Sequence, residues 1–342
     1  MKKSHGNRVV ELRSLPRVIA SAACVGKTEG EGPLKDEFDV VFENDGIHQS
    51  SWERAESELL YQTVNKCVEK SGLPENDIDI IFAGDLINQC TSSTYALRGM
   101  SSSFAGLYGA CSTMAFSLAM SSVFVDGGYV ENAIAATSSH YCSVEKQFRY
   151  PLEYGSQRSP CAQRTVTGSG AFVIGRNKSS NVYIPRVLFG RITDLGINDT
   201  SNMGAAMAPA AAESISDFLL GTNTKPTDYD LIITGDLGKV GSELLVDYLK
   251  ERKDIDISLV HNDCGLMIYD LNAQDVDSGG SGCGCSAAVT ASYIMRLMRE
   301  NKLRRVLFAG TGALMSPLIS LQGETIPAIC HIVEINSGGA VI

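Results

Sequence analysis

The sequence predicts an α/β protein, a five-layer α/β/α/β/α sandwich built from two duplicated halves. Three observations carry that prediction. Asp77-Ile-Asp-Ile-Ile-Phe-Ala-Gly-Asp-Leu86 returns as Asp228-Tyr-Asp-Leu-Ile-Ile-Thr-Gly-Asp-Leu237, with six of ten positions identical at an offset of 151. Two further pairs share an offset of 174: Gly109-Ala-Cys-Ser112 with Cys283-Gly-Cys-Ser286, and Ala135-Ala-Thr-Ser138 with Ala309-Gly-Thr-Gly312. Self-similarity at so long a period indicates duplicated supersecondary units. In each copy short apolar runs alternate with helical patterns, which indicates mostly parallel sheets covered on both faces.

The elements follow in order. A helix is expected over Trp52–Ser71, where Trp52, Ala55, Leu59, Leu60, Val64, Cys67 and Val68 mark one face. A short strand, Ile78–Ala83, ends in Gly-Asp-Leu. A Gly-rich turn leads into a helix of small residues, Ser112–Phe124, and then a buried strand, Asn132–Thr137. Gly168-Ser-Gly-Ala171 opens a further strand at Phe172-Val-Ile174. The second copy has a strand at Leu231–Thr234, a helix at Ser286–Glu300 and a strand at Val306–Gly310. The halves divide into 1–180 and 181–342, packed as one unit. Because the offset grows by 23 between the markers, the second copy carries an insertion between its Gly-Asp-Leu strand and its Cys-Ser turn. Val260-His261-Asn262-Asp263-Cys264-Gly265 falls in that region.

Bulk properties exclude some functions. With 342 residues, 44% of them hydrophobic, the chain can bury a large core. A net charge of -10 argues against a nucleic-acid binder, which needs a broad basic surface. The basic start leads into Val9-Val10-Glu11-Leu12-Arg13 rather than an apolar run, so no signal peptide is expected. The best candidate for a membrane span, Val306–Leu321, is broken by Gly310, Gly312 and Pro317. The expectation is a soluble or peripheral protein. Ten cysteines scattered through a large chain fit reduced thiols in the cytosol better than a disulfide framework.

Two residues stand out chemically. Cys111 follows an apolar stretch and a Gly-Ala turn at the start of a helix, where the helix dipole favours thiolate. It reads as nucleophile-like, or as a buried cysteine in a tight turn. His261 follows a short apolar run and is flanked by Asn262 and Asp263. It reads as a general base or donor, or as a satisfied histidine. His261, Cys264, Cys283 and Cys285 are a weaker zinc reading, since a C-x-C pair is untypical of structural zinc. No metal or cofactor is expected. The segment 145–164 carries Lys146, Arg149, Arg158 and Arg164 and suits either anion recognition or a solvated or subunit-contacting loop. Gly168-Ser-Gly-Ala171 is not a dinucleotide fingerprint, and Gly279-Gly-Ser-Gly-Cys-Gly284 is not a P-loop.

Several of these stretches resemble the thiolase superfamily, closest to its ketoacyl synthase III type. Gly109-Ala-Cys111-Ser is similar to the nucleophile turn, Val260-His261-Asn262 to the histidine segment, and Thr167-Gly-Ser-Gly-Ala171 to the Asp-Gly-Ala-Gly-Ala turn. Gly282-Cys-Gly-Cys-Ser-Ala-Ala288 falls where those enzymes have Gly-Asn-Thr-Ser-Ala-Ala, which puts Gly284 at the catalytic asparagine position. Losing that amide removes a donor to the reacting oxygen, a loss of about 3 kcal/mol in transition-state stabilisation. A longer resemblance runs from Gly32 to Ile332. Ala83-Gly-Asp-Leu-Ile-Asn-Gln89, Gln147-Phe-Arg-Tyr-Pro-Leu-Glu-Tyr-Gly155 and His261-Asn-Asp-Cys-Gly-Leu-Met-Ile-Tyr269 resemble the stage V sporulation protein AD family of spore-forming bacteria.

That resemblance implies a non-enzymatic protein that binds dipicolinic acid (pyridine-2,6-dicarboxylate) and helps move it into the developing spore. It implies membrane partners from the same operon and a peripheral place at the forespore or spore inner membrane. Thiolase-fold relatives imply a homodimer. The expected ligand groups are the backbone at Cys111-Ser112-Thr113, with His261, Asn262, Asn88, Arg149 and Gly284 around them. The alternatives are an acyltransferase using Cys111 and His261, or a scaffold for membrane partners.

Overall fold

The computed structural model describes residues 8–148, 159–177 and 180–338. In chain order the first half contributes β1 (Val9–Glu11), β2 (Arg17–Val25), β3 (Val40–Val41), β4 (Ile80–Gly84), β5 (Ser103–Gly106), β6 (Asn132–Ser139), β7 (Arg164–Thr165) and β8 (Gly168–Gly175). The second contributes β9 (Val182–Leu188), β10 (Leu231–Thr234), β11 (His261–Asp263), β12 (Gly280–Ser281), β13 (Arg305–Ala313) and β14 (Ala328–Ser337). The helices that matter for the site are α1 (Trp52–Ser71), α2 (Thr91–Leu97), α3 (Thr113–Asp126), α4 (Tyr141–Phe148), α5 (Met203–Thr222), α6 (Gly238–Lys253), α7 (Cys264–Ile268) and α8 (Cys283–Val289).

The main sheet runs β11-β10-β13-β14-β9-β2-β8-β6-β4-β5. Outward from the β9–β2 junction, where Arg17 pairs with Tyr183, the two halves repeat one plan. One reads β2, β8, β6, β4, β5 and the other β9, β14, β13, β10, β11. In each half the first two pairings are antiparallel and the last two parallel. The expectation of mostly parallel sheets is corrected accordingly. Consecutive parallel strands need a crossover, usually a helix packed on the sheet. β8 instead starts at the end of the sheet where β6 stops, Gly168 beside Ser139, and runs back antiparallel to it.

Alternation along the strands builds the layers. On one face Val18, Phe172 and Ile174 meet Met114, Ala115 and Leu118 of α3, with Ala287 and Ala288 of α8. The same cluster includes Ile233, Phe308 and Val333 from the second half, so α3 and α8 form the middle layer. A helix covered on both sides must be apolar or small all round, and Thr113–Asp126 is. On the opposite face of the first half Ala22, Ile81, Ile134 and Val173 pack on Leu60, Val64 and Cys67 of α1. In the second half Ile232, Leu307 and Ile332 pack under α5 and α6.

Local chemistry sets the boundaries. Helix α1 begins where the Ser51 hydroxyl accepts from the Arg54 amide, and it stops at Gly72, whose φ of 69° few side chains tolerate. The helix expected at 286–300 begins earlier, at Cys283, and passes through a π-turn at Thr290–Ile294 before ending at Arg299. One expectation changes more. β11 pairs with β10 as β5 pairs with β4, setting His261 beside Ile232 and Phe104 beside Ile81. His261 therefore lies on a strand that both halves possess. The extra length of the second copy is shared between α6, which is longer than α2, and the stretch after β11.

Candidate functional site

Cys111 sits at the mouth of the middle layer. The turn before α3 is tight enough to hold Ala110 at a φ of 50°, a left-handed conformation that a residue with a Cβ seldom takes. That kink aims Cys111 between the halves, where it packs with Leu86, Ala110, Val144 and Cys283. A cavity of about 40 Å³ opens there. Leu86, Tyr108, Ala110, Cys111, Val144, Glu145, Phe148 and Thr165 come from the first half, and Met203, Ser281, Ala313 and Met315 from the second.

The electrostatics differ from those of a reactive thiol. Cys111 is only 6% exposed, and burial pushes its thiol well above the ordinary cysteine range. Behind it lies the buried carboxyl of Asp236, hydrogen-bonded to the thiol. Asp236 accepts from the Gly282 amide (2.8 Å) and the Thr311 hydroxyl (2.9 Å), and burial raises its pKa to about 7. A carboxylate behind a sulfur opposes thiolate formation. The expected helix-dipole activation of Cys111 is thus overturned by desolvation and by Asp236. The expected backbone anion cradle is also filled from within. The Ser112 amide donates to Gly109 (3.1 Å) and the Thr113 amide to Ala110 (3.2 Å), closing the turn. The Ser112 hydroxyl also donates to Gly109 (2.6 Å).

Among the described residues, the other expected ones are not in the cavity wall. His261 shares a strand face with Ile232, which belongs to the α5–α6 core. Its Nε2 lies 3.1 Å from Thr234 Oγ1, and Thr234 donates to Asp263 at 2.6 Å. Since the hydroxyl has one proton, His261 is the donor to Thr234. Burial drops the His261 pKa to about 4, so the ring is neutral. Asn262 folds its side chain onto the Asp263 amide (2.8 Å). Asn88 is exposed and exchanges hydrogen bonds with Gln147. Arg149 and Arg158 lie outside the described residues. Lys146 is paired with Glu53 (2.7 Å), and Arg164 lies over the Tyr141 ring.

Gly284 has a steric explanation. A Cβ there would stand 2.2 Å from the Gly168 carbonyl and 2.5 Å from Ser139 Oγ. The amide missing from the expected Cys-His-Asn set therefore has no room. Among the described residues no group of three or more His, Cys, Asp or Glu is arranged to hold a metal ion. None of their helices is long and apolar enough to cross a membrane.

Sequence reasoning missed Asp236, Glu145 and the apolar rim of Tyr108, Phe148, Met203 and Met315. One signal for Asp236 was present, because Gly-Asp-Leu occurs in both copies. Asp85, its counterpart, accepts from the Ile87 amide (2.9 Å) and the Ser93 amide (2.8 Å) and closes the same turn in the first half.

This duplicated plan, with a cysteine turn at the head of a middle-layer helix, defines a protein of the thiolase fold. Solved structures with the same fold include 3-oxoacyl-[acyl-carrier-protein] synthase III of Aquifex aeolicus, at TM-score 0.58 and 12% identity over 94% of this chain and 99% of that one. Cerulenin-bound OleA of Xanthomonas campestris aligns at TM-score 0.64 and 10% identity, covering 98% and 100%. The sequence places it more narrowly. The family model of stage V sporulation protein AD matches residues 6–336. The stage V sporulation protein AD of Bacillus subtilis is 45% identical over 324 residues, 94% of this chain and 95% of its own. The chain belongs to the stage V sporulation protein AD family.

Proposed function

We propose that this protein binds dipicolinic acid in the Cys111 cavity and serves its uptake into the developing spore, without acyl-transfer chemistry. The observation that carries the second half of the proposal is the Cys111–Asp236 pair, with His261 absent from the cavity wall. A nucleophile needs a base that removes its proton. Here the nearest carboxyl favours the protonated thiol, and the one expected histidine faces another layer. The ligand itself rests on the family and on the kind of site. The cavity is largely apolar, with Tyr108, Glu145, Thr165 and Ser281 as its few polar groups, which suits a small flat molecule. Its volume of about 40 Å³ holds roughly three waters, so an aromatic ring enters only as the rim parts. Two methionines there, Met203 and Met315, have the flexible side chains for that.

Membrane proteins of the same operon are the proposed partners, and the forespore or spore inner membrane the proposed place of work. A homodimer is proposed through β5. Among the described residues that strand pairs only with β4, and Phe104 on it is 41% exposed.

Titrating the purified protein with dipicolinate, against phthalate and pyridine-2-carboxylate, tests the reading. Saturable, selective binding that disappears in Ala313→Phe, which fills the cavity, supports it. Absence of saturable binding at millimolar ligand, or a stable acyl adduct on Cys111 after incubation with acyl-CoA, refutes it.

A further inference from the structure

Resting on that reading, we infer that an anionic ligand enters the Cys111 cavity together with a proton, which is taken up by Asp236. A dianion placed against Cys111 meets no cation among the described wall residues, and the wall carries one carboxylate of its own, Glu145. Thr165 Oγ1 lies 3.3 Å from that Glu145 carboxylate. One layer back is the Asp236 carboxyl. It faces the Cys111 thiol from the turn before α3, the Gly282 amide before α8, the Thr311 hydroxyl of β13 and a second buried carboxyl, Asp263, at the end of β11. None of these groups is a cation. A second negative charge in so dry a place is resisted strongly, and the cheapest relief is protonation of the carboxylate.

The geometry gives the proton a use. While Asp236 is ionised, the Cys111 thiol hydrogen is directed at it. Once Asp236 is protonated it becomes a donor, and its O–H points at the Cys111 sulfur, a weak acceptor. The thiol hydrogen is then free to turn into the cavity and meet a ligand carboxylate. The step is a proton moving from solvent to an Asp236 oxygen, with no other bond made or broken. Asp236 is thus a positioning residue, acting on the ligand through Cys111. Burial raises Asp236 from the usual aspartate range to about 7, which puts its proton uptake near neutral pH.

Calorimetric titration with dipicolinate at pH 7.5, in phosphate and in Tris, counts protons by the difference in buffer ionisation heat. The expectation is an uptake of a fraction of a proton per ligand at pH 7.5 that rises toward one by pH 8.5, and an affinity that weakens up to about tenfold per pH unit above 7.5. Asp236→Asn should bind with the proton uptake abolished. Binding with no proton uptake by the wild type anywhere between pH 7 and 8.5 overturns the inference and leaves the binding reading intact. Undiminished uptake in Asp236→Asn, or uptake lost in Glu145→Gln instead, overturns the assignment to Asp236. If Asp236→Asn does not fold, the wild-type proton count across that pH range still decides. No binding at any pH from 5.5 to 8.5 overturns the functional reading, and the inference with it.

Discussion

At the residue scale two side-chain environments bear on the proposal that no acyl transfer takes place. Cys111 is shielded, protonated and backed by Asp236, so it should be a slow nucleophile. Alkylation by iodoacetamide at pH 8, followed by mass spectrometry of the Cys111 peptide, should run at least about tenfold slower than on a free cysteine. Cys111 reacting as fast as the free amino acid would contradict the structure. Gly284 is the other. With the Gly168 carbonyl 2.2 Å from the place of a Cβ, Gly284→Ala should cost about 3 kcal/mol through overpacking. Gly284→Asn should fail to give folded protein. Differential scanning calorimetry and soluble yield check both. A stable Gly284→Asn variant would show that β8 and α8 can move apart.

At the scale of elements, β11 decides the place of His261. A strand alternates its faces, and pairing with Ile232 gives His261 to the α5–α6 layer. His261→Ala should therefore lose the hydrogen bond to Thr234 and destabilise the fold by about 1 kcal/mol. Dipicolinate affinity should stay as in the wild type, measured by the same titration. A tenfold loss would bring His261 back to the site. Strand β5 gives a second prediction. Phe104→Lys adds a charge to an unpaired edge, and it should shift any dimer to monomer in analytical ultracentrifugation.

At the scale of the molecule, the notable feature is how many acids are buried around the middle of the fold. Burial raises Glu56 to about 8, Glu29 to about 7 and Asp236 to about 7. Glu56 lies beside Asp85 and takes hydrogen bonds from Ser138 and Ser143, while Glu29 is bonded to the Tyr269 hydroxyl. A carboxyl whose pKa is raised on folding holds more protons in the native than in the unfolded state between its two pKa values. Stability therefore falls as pH rises through that window. The buried histidines act oppositely. His261 and His331, both near 4, lose stability as pH falls below 6.5. Above 6.5 the raised acids act, joined near pH 8.5 by buried thiols such as Cys111 and Cys67 that burial also raises. The melting temperature should therefore fall from pH 6.5 to 8.5, and Glu56→Gln should flatten that fall. A wild-type melting temperature that rises over this range would reject the protonated state of these carboxyls.

The sequence by itself determined the duplicated architecture. Strand and helix periodicity, a repeated Gly-Asp-Leu and a repeated Cys-Ser turn are local or near-local signals, and the backbone follows them closely. Helix α1 and strand β10 fall where the pattern puts them. It also singled out Cys111 as a candidate, because a cysteine between a Gly-Ala turn and a helix has few places to point. Tertiary structure alone decided what surrounds that cysteine. Asp236 is 125 positions away in the chain, the cavity wall draws on both halves, and the β8–α8 approach that excludes an asparagine at 284 involves two backbones. Which face of a three-residue strand His261 occupies depends on register with β10, and desolvation depends on everything packed around a group. Those properties arise from convergence of distant segments, and no periodicity in the chain encodes them.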